Sequence, residues 1–271
     1  MNQATLNRTE LLQKECSILF RSVDDEVIQE YTFDALLEPA NALGFLQFYA
    51  AAIKADELSP AATYFASNLH GIIMAVQRLM STDNAVMNWS LSNWSLVLVA
   101  KDGYTSLMFR PVDSVIEDIA PINREEWRNK VLARFYGGTL KPLIQVIASE
   151  AGLNVSQLWA LVASSLYYYK EQAVTLYDEK SIVYEQVISD YHYLVNEMDG
   201  SVFERNRNPL QVKIQLVDNP YRQGEQMPLR FSCCLAYLTE CRSYCYSCPK
   251  LSKEERSKMA KAIIAAKVGA S

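Results

Sequence analysis

Five of the six cysteines of this chain lie within one short stretch, between Arg230 and Pro249. The sixth is Cys16, and no cysteine occurs between it and Cys233. Thiols bind soft metal ions and exchange electrons, so their crowding in a chain otherwise poor in cysteine indicates one local chemical site. The rest of the chain is expected to position that site, to supply it with its reactants or to protect it from solvent.

The composition is that of an ordinary globular protein, and its 271 residues are enough for a substantial core. A net charge of −5 favours no nucleic-acid partner. No secretory signal is visible, and no apolar run approaches the roughly 18 residues of a membrane span. We therefore predict a cytoplasmic protein without a membrane span, which leaves peripheral membrane contact open. A reducing cytoplasm favours a metal or redox site over disulfides.

Hydrophobic periodicity predicts an α+β fold that is predominantly helical. Two β-rich runs, 91–100 and 104–110, flank a turn that contains Asp102-Gly103, and this pattern predicts a central β-hairpin. Apolar and polar residues alternate over 212–216, which predicts a further strand. We expect this strand to share one small antiparallel sheet with the hairpin.

A change of pattern near residue 120 suggests two parts. Residues 1–120 are predicted to form a helical and β-hairpin part. Residues 121–271 are predicted to form a second helical part, which carries the cysteine segment 230–250. Within this second part, Gly137-Gly138 is expected to end one helix before the next begins.

The spacing of the cysteines indicates a metal centre. Cys233 and Cys234 are adjacent, and the pair Cys245-x-x-Cys248 follows after ten residues. Four thiolates suit tetrahedral zinc or a [2Fe-2S] cluster. Adjacent side chains diverge, which favours a binuclear cluster over a single ion, while a structural zinc site and a redox dithiol remain open. Cys241 stands outside the pattern, and we interpret it as a spare or buried thiol.

The pattern Cys-Cys-x10-Cys-x2-Cys is the iron–sulfur signature of FhuF-like ferric siderophore reductases, and this chain resembles that family over about residues 206–250. A weaker similarity extends over 125–170. At Ala160-Leu161 the chain departs from the Gly-Asn that usually follows the family's tryptophan. The similar stretches are Asn208-Pro209-Leu210, Arg230-x-Ser-Cys-Cys-Leu-x-Tyr237, Cys248-Pro249 and the segment from Leu140 to Trp159.

This resemblance implies a helical fold whose four patterned cysteines hold a [2Fe-2S] cluster. It implies the one-electron reduction of a ferric siderophore, an iron chelate, which releases ferrous iron in the cytoplasm. Hard oxygen ligands hold Fe(III) tightly and Fe(II) weakly, so one electron is enough to release the metal. An electron donor such as a ferredoxin or a flavin reductase is then needed as a partner.

Residues near the cysteines are candidates for tuning the cluster by hydrogen bonds, charge or shielding from water. These candidates are Arg230, Ser232, Arg242, Tyr244 and Ser247. A chelate pocket needs positive charge if the complex is anionic. Its candidates are Arg110, Lys141, Arg205 and Arg207. The basic C-terminal segment, with Lys258 and Lys261, is either a solvated face or a docking surface for an acidic electron donor.

Other functions remain open at this point. A zinc-stabilised or iron–sulfur protein could bind or scaffold a siderophore without reducing it. A siderophore-building ligase is a further alternative, because the family name also covers a domain of such synthetases. The chain has no Gly-rich phosphate loop, which argues against an ATP-dependent ligase.

Overall fold

A computed structural model describes residues 3–20, 26–101, 103–120, 122–240 and 242–268. Helices account for 56% of the structure and strands for about 13%, which confirms the predominantly helical α+β fold. The helices are α1 (Gln3–Cys16), α2 (Pro39–Ala52), α3 (Leu58–Asn68), α4 (His70–Asp83), α5 (Arg124–Ala133), α6 (Lys141–Glu150), α7 (Val155–Leu176), α8 (Ile182–His192) and α9 (Lys253–Val268). Among the described ranges, none of these helices has both the length and the apolar character needed to cross a bilayer.

Within the described residues, the strands form three small antiparallel sheets. The main sheet consists of β1 (Val27–Thr32), β3 (Trp94–Lys101) and β4 (Tyr104–Pro111) in the order β1-β3-β4, and β3 and β4 form the predicted hairpin. Trp94 pairs with Pro111 at one end of this hairpin and Lys101 with Tyr104 at the other, while the turn residue Asp102 lies outside the described residues. The strands are β1 (Val27–Thr32), β2 (Ala85–Val86), β3 (Trp94–Lys101), β4 (Tyr104–Pro111), β5 (Glu117–Asp118), β6 (Leu216–Asp218) and β7 (Gln226–Pro228).

The strand predicted over 212–216 is wrong in its extent and in its partner. Residues 211–215 are irregular, and β6 begins at Leu216 and pairs with β7 instead of joining the main sheet. The third strand of the main sheet is β1. Ile214 and Leu216 stay 42% and 51% exposed, so Val212 alone among the three alternating apolar residues packs against the core.

One apolar core joins the helices to the main sheet. It contains large, fully buried side chains such as Phe45 and Trp159. Trp89 stacks on Trp94 at 5.2 Å and meets Phe135 edge-on at 5.7 Å. These rings come from both sides of residue 120, so packing is continuous there, and the predicted division into two parts stays a prediction.

The pair Gly137-Gly138 does not end a helix, contrary to the prediction. α5 continues through a wider π-helical turn, Arg134–Leu140, directly into α6. A Cβ at position 137 would lie 2.9 Å from the carbonyl oxygen of Val202. Glycine therefore serves close backbone packing at this position rather than helix termination.

Candidate metal centre

The four patterned cysteines lie in an irregular segment between β7 and α9, and they meet as two pairs. Cys248 donates to Cys233, with 3.5 Å between the two sulfur atoms. Cys234 and Cys245 form the other pair, in which a hydrogen bond joins the two thiols. Three of the thiols are buried, and Cys245 is partly buried. Each of the two adjacent cysteines therefore belongs to a different pair, as their diverging side chains require.

The thiols influence one another electrostatically. The pKa of Cys245 is lowered to about 6, mainly by the hydrogen bond with Cys234 and further by Ser247 and the charge of Arg230. The same hydrogen bond, together with burial, raises the pKa of Cys234. Burial raises the pKa of the Cys248 thiol, and the neighbouring thiols add to this effect. A bound metal would favour the thiolate form of these side chains.

Backbone N–H groups are directed at two of the sulfur atoms. The N–H of Leu235, which adopts a left-handed conformation with φ 58°, donates to Cys233 at 3.4 Å. The N–H of Lys250 donates to Cys248 at 3.4 Å. A tight turn joins Cys245 to Cys248, since the N–H of Cys248 donates to the carbonyl of Cys245 at 3.0 Å. Such N–H···S bonds stabilise metal-bound thiolates and tune cluster potentials.

Two side chains of the helical body bind the backbone of the adjacent residues Cys233 and Cys234. Thr63 in α3 donates to the carbonyl of Cys234 at 2.7 Å. Gln157 in the first turn of α7 donates to the carbonyl of Cys233 at 3.3 Å. Sequence reasoning missed both residues, because they lie 171 and 76 positions away from their partners and no local pattern connects them.

Arg256 binds the backbone around Cys248. It lies in the first turn of α9, is 9% exposed, and donates to the carbonyl of Tyr246. It also donates to the carbonyls of Cys248 at 2.8 Å and Leu251 at 3.2 Å. A buried guanidinium beside this loop adds positive charge next to the thiols. In the sequence it resembled one more member of a solvated basic face, although its position just after Cys248 could have marked it.

Three of the predicted tuning residues lie next to the thiols. The N–H of Arg230 donates to the carbonyl of Ser247 at 2.9 Å, and the Ser247 hydroxyl lies 3.7 Å from the sulfur of Cys245. Tyr244 packs against the apolar residues around the cysteines, with its ring 4.6 Å from that of Tyr237. Their positions agree with roles in charge, hydrogen bonding and shielding.

The remaining predictions near the cysteines concern Arg242, Ser232 and Cys241. Arg242 binds the carboxylate of Asp56 with both terminal nitrogens, one of them at 2.9 Å, and its donation to a sulfur stays a prediction. An ionised carboxylate is a stronger hydrogen-bond acceptor than a thiol sulfur. Within the described part of the chain, no hydrogen bond joins Ser232 to a sulfur. Cys241 lies outside the described residues, and its role as a spare or buried thiol stays a prediction.

Nearby acceptors bind three of the four basic residues predicted to surround a chelate, and the fourth, Arg207, is exposed. Local ion pairs reduce the charge that these side chains could offer to an anionic complex. The contacts are Arg110 with Glu30 at 2.5 Å, Lys141 with Glu204 at 2.5 Å, and Arg205 with the Ser156 hydroxyl at 2.7 Å.

Two residues on which the resemblance rests serve packing. Trp159 is buried against Phe203, with ring centroids 5.1 Å apart. The side chain of Asn208 donates to the carbonyls of Leu194 at 2.7 Å and Met198 at 3.2 Å. These bonds close the end of the helical segment that follows α8. They position the chain that leads to the cysteine segment.

The donor set suits a thiolate-bound metal centre, although the sulfur atoms are arranged as two pairs. In the described ranges, no three His, Cys, Asp or Glu side chains form a group that could hold a metal ion as placed. The four thiols come from one segment, N–H groups donate to Cys233 and Cys248, and the charge of Arg230 acts on Cys234 and Cys245. This chemistry fits zinc or a [2Fe-2S] cluster, with Cys233, Cys234, Cys245 and Cys248 as ligands.

No protein-family model matches this chain, and no curated protein shows significant similarity to it.

Proposed function

We propose that this chain is a cytoplasmic ferric siderophore reductase whose four patterned cysteines hold a [2Fe-2S] cluster. The observation that carries the proposal is the meeting of these cysteines as two neighbouring thiol pairs in one largely buried segment. The spacing Cys-Cys-x10-Cys-x2-Cys and its resemblance to the FhuF-like family favour a binuclear cluster over zinc.

When bound, the cluster would pass one electron to the Fe(III) of a chelate, giving Fe(II), and a ferredoxin or flavin reductase would replace that electron. Hard oxygen ligands hold Fe(II) far more weakly than Fe(III), so the reduced iron leaves its chelator. The chain's own contribution is electrostatic and steric. Arg230 and Arg256 place positive charge beside the thiols, which favours the more negative, reduced state, and Tyr244 limits access of water.

The decisive experiment is spectroscopy of the protein purified anaerobically, followed by a single-turnover assay. We expect visible absorption, about two iron and two sulfide per chain, and an EPR signal after one-electron reduction. The reduced protein mixed with a ferric chelate and a ferrous trap should form the coloured ferrous complex. A colourless protein that contains zinc would overturn the proposal. A cluster that forms no ferrous product would leave a siderophore-binding or scaffold protein without reductase activity.

The outer face of α9 is the surface we propose for the electron donor. Lys258 and Lys261 are exposed, and each lies within the helix that begins five residues after Cys248. A basic face attracts an acidic donor such as a ferredoxin. The double substitution Lys258→Glu and Lys261→Glu should slow reduction by ferredoxin and weaken its dependence on salt. Reduction by dithionite, which needs no docking surface, should be unchanged.

A further inference from the structure

An open groove of about 1230 Å³ lies between the β6–β7 hairpin and α9. The sequence does not predict this groove, because its alternating pattern places the strand near residue 216 in the main sheet. Its walls combine apolar, aromatic and charged side chains, and it is larger than a pocket for a small metabolite. None of the four basic residues that the sequence suggested for a chelate lines it.

The groove directly adjoins the cysteine segment. Tyr246 forms part of its wall, is bonded to Cys245, and is separated from Cys248 by one residue. The Tyr246 hydroxyl donates to the carbonyl of Asp218 in β6 at 2.8 Å, which joins the hairpin to the cysteine segment. Arg256 lines the same groove while donating to the carbonyl of Cys248. The groove is therefore lined by Tyr246, which directly follows the ligand Cys245 in the sequence.

The walls of the groove suit a bulky complex with an organic periphery. The rings of Tyr221 and Tyr246 meet edge-on at 6.4 Å, and Ile264 of α9 presents a side chain that is 51% exposed. Aromatic and aliphatic surface left open beside a polar rim is typical of a ligand site. Tyr221, which is 48% exposed, would pack against the organic frame of a chelator, while the buried Tyr246 forms the wall beside the cysteines.

Positive charge is in excess in the groove, although the chain as a whole is acidic. Lys253 and Lys267 lie on one face of α9, fourteen residues apart, which places them about 21 Å apart along the helix axis. Together with Arg256 they outnumber the acidic wall residues Asp218 and Glu225. Cations at both ends of the groove are complementary to a large anion.

We infer that this groove binds the substrate as an anionic, oxygen-ligated ferric chelate beside the Tyr246 wall. The inference rests on the proposed reductase function and gives that function a binding site. It also divides α9 into two faces. The groove face carries Lys253, Ile264 and Lys267, and the outer face carries Lys258 and Lys261.

The test uses gallium(III) tris-catecholate, an anionic complex in which the metal has the size and charge of Fe(III) but is not reduced. Binding is followed by quenching of protein fluorescence. The variant Lys253→Glu/Lys267→Glu should weaken binding by about tenfold or more, since attraction becomes repulsion at both ends. The matched control Lys258→Glu/Lys261→Glu reverses the same charge on the other face of the same helix. It should bind within about twofold of the unmodified protein.

A second pair of variants tests the groove by its shape. Ile264→Trp places a bulky ring in the groove, whereas Ala262→Trp adds the same ring to an exposed position of α9 that does not line it. Binding should be weakened only with Ile264→Trp, and far-UV circular dichroism should show that both variants are folded. Failure of the unmodified protein to bind, or equal affinity of groove and control variants, overturns the inference. Because gallium binding needs no electron transfer, these outcomes are separate from the ferrous assay that tests the reductase function.

Discussion

The helical body and the cysteine segment of this protein are held together by different means. The body contains one extensive apolar core in which rings such as Trp94 and Phe65 are fully buried. The cysteine segment has a small cluster of its own, in which two cysteines pack with Leu235 and Leu251. Burial on the scale of the body supports folding without a ligand. A small cluster made partly of thiols does not, so the metal is expected to contribute much of the segment's stability.

The largest expected effect is the loss of the metal centre in Cys248→Ser. A hydroxyl is a poor ligand for iron, so visible absorption should disappear almost completely. The far-UV spectrum should keep the helical signal of the body, which does not depend on the segment. The matched control Cys241→Ser should retain the absorption. Loss of absorption in Cys241→Ser with retention in Cys248→Ser would contradict the ligand assignment.

A substitution in the body should unfold it without any direct effect on the thiols. Asp190 is fully buried in α8 and accepts hydrogen bonds from Arg124 at 2.7 and 2.8 Å and from Ser81 at 2.8 Å. Asp190→Asn removes the charge that compensates the guanidinium, so we expect a loss of about 3 to 5 kcal/mol in the free energy of unfolding.

Urea denaturation followed by circular dichroism measures this loss. The control is Glu126→Gln, which breaks an exposed pair with Lys130 and should shift the midpoint by no resolvable amount. A similarly small shift in Asp190→Asn would show that the buried pair contributes nothing to the stability of the body.

The thiols of the two regions should differ in reactivity when the protein is free of metal. Burial raises the pKa of Cys16 to about 12, whereas the pKa of Cys245 is lowered to about 6. At pH 8 Cys245 is therefore mainly thiolate and Cys16 almost entirely thiol. Iodoacetamide should modify Cys245 at least about tenfold faster, even after allowing for the lower nucleophilicity of an acidic thiol. Peptide mapping by mass spectrometry shows which of the two thiols is modified first. Faster modification of Cys16 than of Cys245 would contradict the prediction.

The smallest expected effect concerns the exposed pair of Arg242 and Asp56, which lies where the segment meets the body. Solvent screens such a pair, so Arg242→Ala should leave the urea midpoint and the visible absorption unchanged within error. The sequence had suggested that Arg242 donates to the sulfurs. A shifted cluster potential in Arg242→Ala would support that earlier prediction and contradict the contact with Asp56.

Local patterns in the sequence predict the parts of the fold that depend on neighbours in the chain. The β3–β4 hairpin follows from a turn signal between two β-rich runs, and the helices follow from their apolar spacing. The pairing of β1 with β3 joins residues about seventy positions apart, so no short window contains it. The alternation over 212–216 misleads because two of its three apolar residues, Ile214 and Leu216, remain exposed.

The sequence likewise predicts some residues of the candidate site and not others. Spacing identifies the four cysteines, and it places Arg230 and Ser247 beside them. It cannot identify Thr63 or Gln157, which reach the segment only after the body has folded. The chelate groove is hidden for the same reason, since its two walls come from a hairpin and a helix on either side of the cysteines.

The contacts of Thr63 and Gln157 have a consequence for attempts to move this site into another protein. Each holds the carbonyl of one of the two adjacent cysteines, and each belongs to a different helix of the body. A peptide covering 230–251 would carry every ligand but neither of these supports. Unlike a zinc finger, which brings its whole framework within one short sequence, this motif is not transplantable. A graft that reproduces it must also copy the angle between α3 and α7.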